Sequence, residues 1–214
     1  MPHNYPLLLD VADRQIVIVG GGDVAVRKAE GLIAAGAGRV RVVSPDFHAR
    51  MPSDVERVTE PYRRDHLTGA QLVFAATHDP AVNDAVLHDA RGMGLLVCRA
   101  DAEDENTGDF ATPAMIRKDP VLVTVSTGGS PALAAKMRDA IVQAIDPRWI
   151  EMATLMQTLR PQIRARASLS PSRRKEVFRT LASDEALDVL QAKGADGLQM
   201  WLIDRYPELS KRGA

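Results

Sequence analysis

Ile16-Val17-Ile18-Val19-Gly20-Gly21-Gly22-Asp23-Val24-Ala25 runs from four apolar residues through a glycine cluster into the start of a helical pattern. In a parallel α/β sheet this order seats a dinucleotide pyrophosphate. Gly20 permits the tight turn, Gly22 lets backbone approach the phosphates, and the small Ala25 allows close helix–strand packing. The pattern G-x-G-x-x-A is short, and turns in which glycine only relieves strain also satisfy it. Its surroundings favour the dinucleotide reading. Val24, Leu32 and Ile33 follow at helical spacing up to Gly36, and Val40-Arg41-Val42-Val43 supplies a second strand before Ser44-Pro45-Asp46. Together these make a βαβ unit of about thirty residues. The candidate cofactor-binding residues are therefore Gly20, Gly21, Gly22, Asp23, Val24 and Ala25, with Ser44, Pro45 and Asp46 at the end of the second strand. No arginine immediately follows that strand to receive a 2′-phosphate, so NAD is expected rather than NADP.

The 214 residues are 45% hydrophobic, enough for one good core and a smaller second one. A net charge of -1 argues against general nucleic-acid binding, which depends on many phosphate-neutralising cations. The single cysteine, Cys98, excludes an intramolecular disulfide and a multi-cysteine metal site within one chain. His3, His48, His66, His78 and His88 lack metal-ligand spacing, so no metal site is expected. The N-terminus has no basic region and only a short apolar run, and no stretch approaches the ~20 residues of a membrane span. A cytoplasmic protein without a membrane partner is the expectation.

Further apolar runs lie at Gln71-Leu72-Val73-Phe74-Ala75-Ala76, Leu95-Leu96-Val97-Cys98 and Val121-Leu122-Val123-Thr124-Val125, with a short candidate strand at 55–58. Between the first two, residues 80–91 read as a helix with Val82, Val86, Leu87 and Ala90 on one face. Strands alternating with helices imply a parallel sheet covered on both sides. From Pro131 onward the pattern is helical only, with Met137, Ile141 and Ile145 on one face. Tail helices are expected at about 149–159, 171–183, 185–193 and 197–206.

Two more clusters stand where strands end. Thr77, in Ala75-Ala76-Thr77-His78-Asp79-Pro80, falls at the carboxyl edge of the sheet, where ligands bind in open α/β folds. It can bond ribose or nicotinamide, or it or Asp79 can cap the next helix. Ser126-Thr127-Gly128-Gly129-Ser130-Pro131 joins a strand to a helix, and such a turn serves either as an anion-binding nest or as a plain connection.

In this order Gly20–Lys28, Val43-Ser44-Pro45, Ala75-Ala76-Thr77, Asp109-Phe110 with Pro113-Ala114, and Ser126–Ala134 resemble the precorrin-2 dehydrogenase / sirohydrochlorin ferrochelatase family, the dehydrogenase module of sirohaem synthases. The resemblance implies a Rossmann-like parallel-sheet domain over residues 1–112, a dimerisation segment over 113–147 and a small all-helical C-terminal domain over 148–214. It implies a homodimer that oxidises the tetrapyrrole precorrin-2 to sirohydrochlorin with NAD, and in bifunctional members then inserts Fe2+, as substrate, to give sirohaem. The tail is too short for the fused methyltransferase of the larger sirohaem synthases, so a stand-alone version is expected. The family's central catalytic aspartate maps to Asp101, with the acids Glu103, Asp104, Glu105 and Asp109 nearby. A carboxylate there can take the proton while the cofactor takes the hydride. Ser126, Thr127, Gly128, Gly129 and Ser130 become the candidate substrate-binding residues, facing a ligand rich in carboxylates. Arg99, Arg117, Lys118, Lys136 and Arg138 are candidate cations, whereas 172–175 reads as an exposed helix start. A nucleotide-sensing regulatory module is the alternative, since it needs the glycine loop but no catalytic acid. A short-chain carbonyl reductase is disfavoured by the lack of a Tyr-x-x-x-Lys pair.

Overall fold

The computed structural model describes residues 5–100 and 108–210. The chain divides into two compact units, residues 1–112 and 113–214. In the first, β1 (Gln15–Val19) is apolar and buried from Ile16 to Val19 because both its faces are covered, as a central parallel strand requires. Ile16 and Ile18 join one hydrophobic cluster with Ala25, Val26 and Ala29 of α1 (Asp23–Ala34). Val17 and Val19, offset by one residue, join another with Val86, Leu87 and Ala90 of α2 (Pro80–Gly92). The period of two along a strand thus divides one run of sequence between two cores.

Around β1 lie β2 (Arg39–Val43), β3 (Glu56–Val58), β4 (Leu72–Ala75) and β5 (Leu96–Arg99), in the order β3-β2-β1-β4-β5 with every pair parallel. This is the Rossmann-like sheet that the sequence leads one to expect. The chain winds outward from β1 to β3 and then starts again at β4 on the other side. β1 and β4 therefore flank the switch point, where the crevice for a ligand opens at the carboxyl ends. Val19 pairs with both Val43 and Ala75, so the three strands finish level there.

The second unit begins with a hairpin, β6 (Ala114–Lys118) antiparallel to β7 (Val121–Val125), on which α3 (Pro131–Ala144) packs. β6 is absent from the sequence reading. Its Ala-Met-Ile-Arg-Lys has a short apolar part and little alternation, and its pairing with β7 is what makes it a strand. α4 (Pro147–Ala165), α5 (Pro171–Leu181) and α6 (Asp184–Arg205) close round a separate core containing Met152, Leu159, Ile163, Val177, Leu181, Leu187 and Leu198.

Two helical expectations are corrected and one stands. α4 continues six residues past Leu159 and through Pro161, because Leu159 and Ile163 are both buried and tertiary packing offsets the missing backbone bond. The last two helices stand as expected, as two arms of α6 that meet in a kink at Gly194, whose φ of 67° and ψ of -171° are a conformation confined almost entirely to glycine. The stripe on α3 does not face a core. Met137 and Ile141 are 44% and 43% exposed, Ile145 lies beyond the helix as its C-cap, and Ala134 is the buried residue of α3. No helix among the described residues is long and apolar enough to cross a membrane.

Candidate functional site

The glycine turn occupies the carboxyl end of β1, beside the ends of β2 and β4. Gly20 has φ +126°, and a Cβ built there would lie 2.3 Å from the Ala76 carbonyl oxygen. At Gly21 a Cβ would lie 1.9 Å from the Asp46 carbonyl oxygen and 2.7 Å from Ser44 Oγ. Around Gly22 nothing lies within 4 Å of such an atom. The first two glycines are therefore demanded by the protein's own packing, whereas the third borders free space at the start of α1. Sequence reasoning gave Gly21 no steric role, yet its clearance is the smallest of the three. Its neighbour across the turn comes from the 44–46 loop, which sequence spacing alone does not place.

Gly22 is the N-cap of α1 and supplies no side chain to the first-turn N–H groups. By contrast α2 is capped by Asp79, whose carboxylate accepts from Ala81 N and Val82 N. An uncapped helix start facing open space is suited to a phosphate, because orphan N–H groups and the positive end of the helix dipole converge there. Ala25 is fully buried against β1, as close helix–strand packing requires, and Val24 is half-buried.

The 44–50 loop closes over this turn. The His48 N–H donates to the Gly21 carbonyl at 2.8 Å, and Arg50 holds the Asp23 carboxylate at 2.5 Å, with His48 Nε2 3.7 Å from the same oxygen. Asp23, in the first turn of α1, is thus paired with a cation of this loop. Ser44 is buried and its N–H bonds Val58 O, while Pro45 and Asp46 are exposed.

At the end of β4, Thr77 is held by Asn83, which is fully buried. Asn83 Oδ1 accepts from Thr77 N at 3.1 Å and lies 2.8 Å from Thr77 Oγ1, while Asn83 Nδ2 donates to Thr77 O at 3.0 Å. The Thr77 hydroxyl also accepts from Asp79 N. Of the two cap candidates, Asp79 is the cap, and Thr77 is locked onto the first turns of α2. The sequence contains Asn83 in plain view but offers no sign that it is buried.

Asp101 lies outside the described residues, as do Glu103, Asp104 and Glu105. Their described neighbours are firmly anchored at the end of β5. Ala100 N donates to Ala75 O, Cys98 forms a bridge with Gly108, and Asp109 accepts from Val97 N and Arg91 Nε. Phe110 packs edge-on against Phe74, and Lys28 Nζ bonds Thr112 Oγ1. Arg99 pairs with Asp84. Burial pushes the Lys28 ammonium below its ordinary value, opposed by Cys98 and assisted by Arg27; burial likewise pushes the Cys98 thiol up, against Lys28 and the Thr112 backbone. No cluster of three metal-ligating side chains exists among the described residues.

In the second unit, the 126–130 turn has φ +69° at Gly128 and +141° at Gly129, and a Cβ at Gly129 would meet nothing within 4 Å. Thr127 Oγ1 donates to Ser130 O at 2.8 Å, and Ser130 Oγ caps α3 by accepting from Leu133 N. Ser126 is exposed. Of the nearby cations, Arg138 is paired with Asp139 and Arg117 lies 3.7 Å from Asp119, whereas Lys118 and Lys136 are exposed.

Residues 7–114 match a family described as "Putative NAD(P)-binding". The siroheme synthase of Nitrosomonas eutropha is 39% identical over 177 residues, covering 79% of this chain and 37% of that protein. Siroheme synthase 2 of Aeromonas hydrophila is 34% identical over 203 residues, covering 93% of this chain and 43% of that protein. The chain therefore spans about two fifths of the length of these relatives. Among solved structures, that of "SirC, precorrin-2 dehydrogenase" has the same fold, with a TM-score of 0.78, 24% identity, and coverage of 95% of this chain and all of that one.

Proposed function

Since the chain belongs to the precorrin-2 dehydrogenase / sirohydrochlorin ferrochelatase family, with an NAD(P)-binding domain over residues 7–114, we propose that it oxidises precorrin-2 to sirohydrochlorin with NAD. The observation that carries this reading is the glycine turn at the switch point, where Gly20 and Gly21 are fixed by packing and the uncapped start of α1 opens on free space beside Gly22. Those residues fit a pyrophosphate, and Ser44, Pro45, Asp46 and Thr77 line the same edge of the sheet. NAD is preferred to NADP because Arg50, in the loop that closes over the turn, is engaged by Asp23.

Bound NAD supplies the hydride acceptor. The chain's own part is to orient the macrocycle and to hold the proton. Asp101 takes the proton released as the ring carbon loses hydride, so that precorrin-2 and NAD+ give sirohydrochlorin, NADH and H+. The 126–130 turn, with its open Gly129 and exposed hydroxyl of Ser126, binds substrate carboxylates. In purified protein supplied with precorrin-2 and NAD, NADH and sirohydrochlorin are expected, and Asp101→Ala is expected to abolish turnover while retaining NAD affinity. An unimpaired Asp101→Ala would refute the role of this acid. No turnover by the parent chain with intact NAD affinity would favour a nucleotide-sensing module instead. Fe2+ enters as a second substrate: formation of sirohaem from sirohydrochlorin and Fe2+, lost in the same variant, would assign the chelatase step to this chain.

We further infer a homodimer formed through α3. Leu133, Met137 and Ile141 fall at helical spacing and are 50%, 44% and 43% exposed, an apolar stripe that a second copy would cover. Sedimentation should give a dimer that Met137→Asp/Ile141→Asp converts to monomer; a monomeric parent chain would overturn the inference.

A further inference from the structure

The helical core carries a second feature that the dehydrogenase reading does not use. An open groove of about 580 Å³ runs between α4 and α5, lined by Arg160 and Arg164 from the first helix and by Arg174, Lys175, Phe178 and Arg179 from the second. The whole chain has 27 cations against 28 anions, yet five cations gather in this groove and no carboxylate lines it. No ion pair joins Arg160, Arg164, Lys175 or Arg179 to a carboxylate among the described residues.

Arg160 and Arg164 stand four residues apart on α4, as do Lys175 and Arg179 on α5. Like charges at that spacing destabilise a helix, and facing pairs repel across the groove as well. Two members are already held in place: Arg160 lies over the Phe178 ring at 5.6 Å, and Arg174 Nη2 donates to the Arg166 carbonyl at 3.0 Å. The result is one aromatic side chain surrounded by cations, two of them pre-positioned. A compact ligand with acids distributed round an apolar plane meets both features. An extended polyphosphate would instead call for a stripe of cations along the surface with successive stacking rings.

We propose that this groove is a second tetrapyrrole-binding site, taking a polycarboxylate macrocycle with its plane on the Arg160 guanidinium that stacks over Phe178 and its acid arms on Arg164, Lys175 and Arg179. The identity of the macrocycle rests on the proposed dehydrogenase function; the groove's preference for polycarboxylates does not. Such a site would hold substrate or product on the surface of the protein, outside the step catalysed with NAD.

Titration of the full chain with uroporphyrin, a macrocycle carrying acetate and propionate arms on every ring, tests this. Binding at the groove is expected to weaken roughly tenfold in Arg164→Glu/Arg179→Glu, while precorrin-2 turnover is unchanged. Arg164→Gln/Arg179→Gln, with an unaltered circular dichroism spectrum, should fall between the two and guards against misfolding. Equal binding by parent and variants overturns the site. Displacement of porphyrin from the groove by pyrophosphate or a DNA oligonucleotide at lower concentration overturns the polycarboxylate assignment. A parent chain that loses porphyrin on charge reversal but never turns over precorrin-2 would refute the dehydrogenase reading alone.

Discussion

Gly22→Ala is expected to abolish tight NAD binding while leaving the fold almost as stable as before, and Gly21→Ala to damage both. The contrast follows from what surrounds each residue. A methyl group at Gly22 meets no protein atom within 4 Å, and its φ of -82° is one that alanine adopts freely. The cost to folding is therefore about 1 kcal/mol or less, the usual price of an alanine N-cap. The same methyl would stand at the uncapped start of α1, where the pyrophosphate is proposed to accept backbone N–H bonds. Displacing it from charge-assisted bonds should weaken NAD roughly ten- to a hundredfold. At Gly21 the methyl would lie 1.9 Å from the Asp46 carbonyl oxygen, backbone that cannot swing aside. Overpacking of this kind costs about 1–3 kcal/mol, which for a chain of this size lowers the melting temperature by about 2–4 °C per kcal/mol. Calorimetric titration with NAD and thermal unfolding of the two variants separate the effects. A Gly22→Ala protein that binds NAD like its parent would show that no phosphate sits at this turn.

Most of the first unit was legible in the sequence because its signals are local. Ile16-Val17-Ile18-Val19 is apolar over four consecutive residues, and a strand covered on both faces needs that pattern whatever its neighbours are. The strand order is also a consequence of the βαβ unit that the glycine cluster opens. What remained hidden depends on contacts between distant residues. The tight clearance at Gly21 comes from a carbonyl in the 44–46 loop, and burial of Asn83 comes from the way α2 lies on the sheet. β6 becomes a strand by pairing with β7, and α4 passes Pro161 because Ile163 beyond it is buried. Of the candidate site, the glycine turn at the carboxyl end of β1 was legible from its motif, since the residues that form it are adjacent in the chain. The charged groove between α4 and α5 was not, because its cations are shared between two helices and in sequence resemble solvated surface.

Asn83→Ala should cost about 3–4 kcal/mol of folding stability, more than any surface substitution, although Asn83 touches no cofactor in the proposed site. Its fully buried amide supplies both an acceptor for Thr77 N and a donor to Thr77 O, at 3.1 and 3.0 Å, the threonine itself being half-buried. Alanine leaves both backbone groups without these partners, and each unsatisfied buried group costs about 1–3 kcal/mol. Thr77 ends β4 at the switch point, so its release should also weaken NAD while leaving the glycine turn intact. Urea unfolding with an unchanged m-value would register the first effect, and calorimetric titration the second. A loss below about 1 kcal/mol would mean that water replaces the amide and that the bonds are not structural. Asn83→Asp sharpens the test through its dependence on pH. The aspartic acid can donate to Thr77 O only when protonated, and burial without a cation raises its folded-state pKa above the unfolded value. The variant's stability should then be greatest relative to the parent at low pH, below the unfolded pKa of about 3.9, and should fall as pH rises through the folded value. A difference between variant and parent that does not change with pH would place the carboxyl in water and refute the buried lock on Thr77.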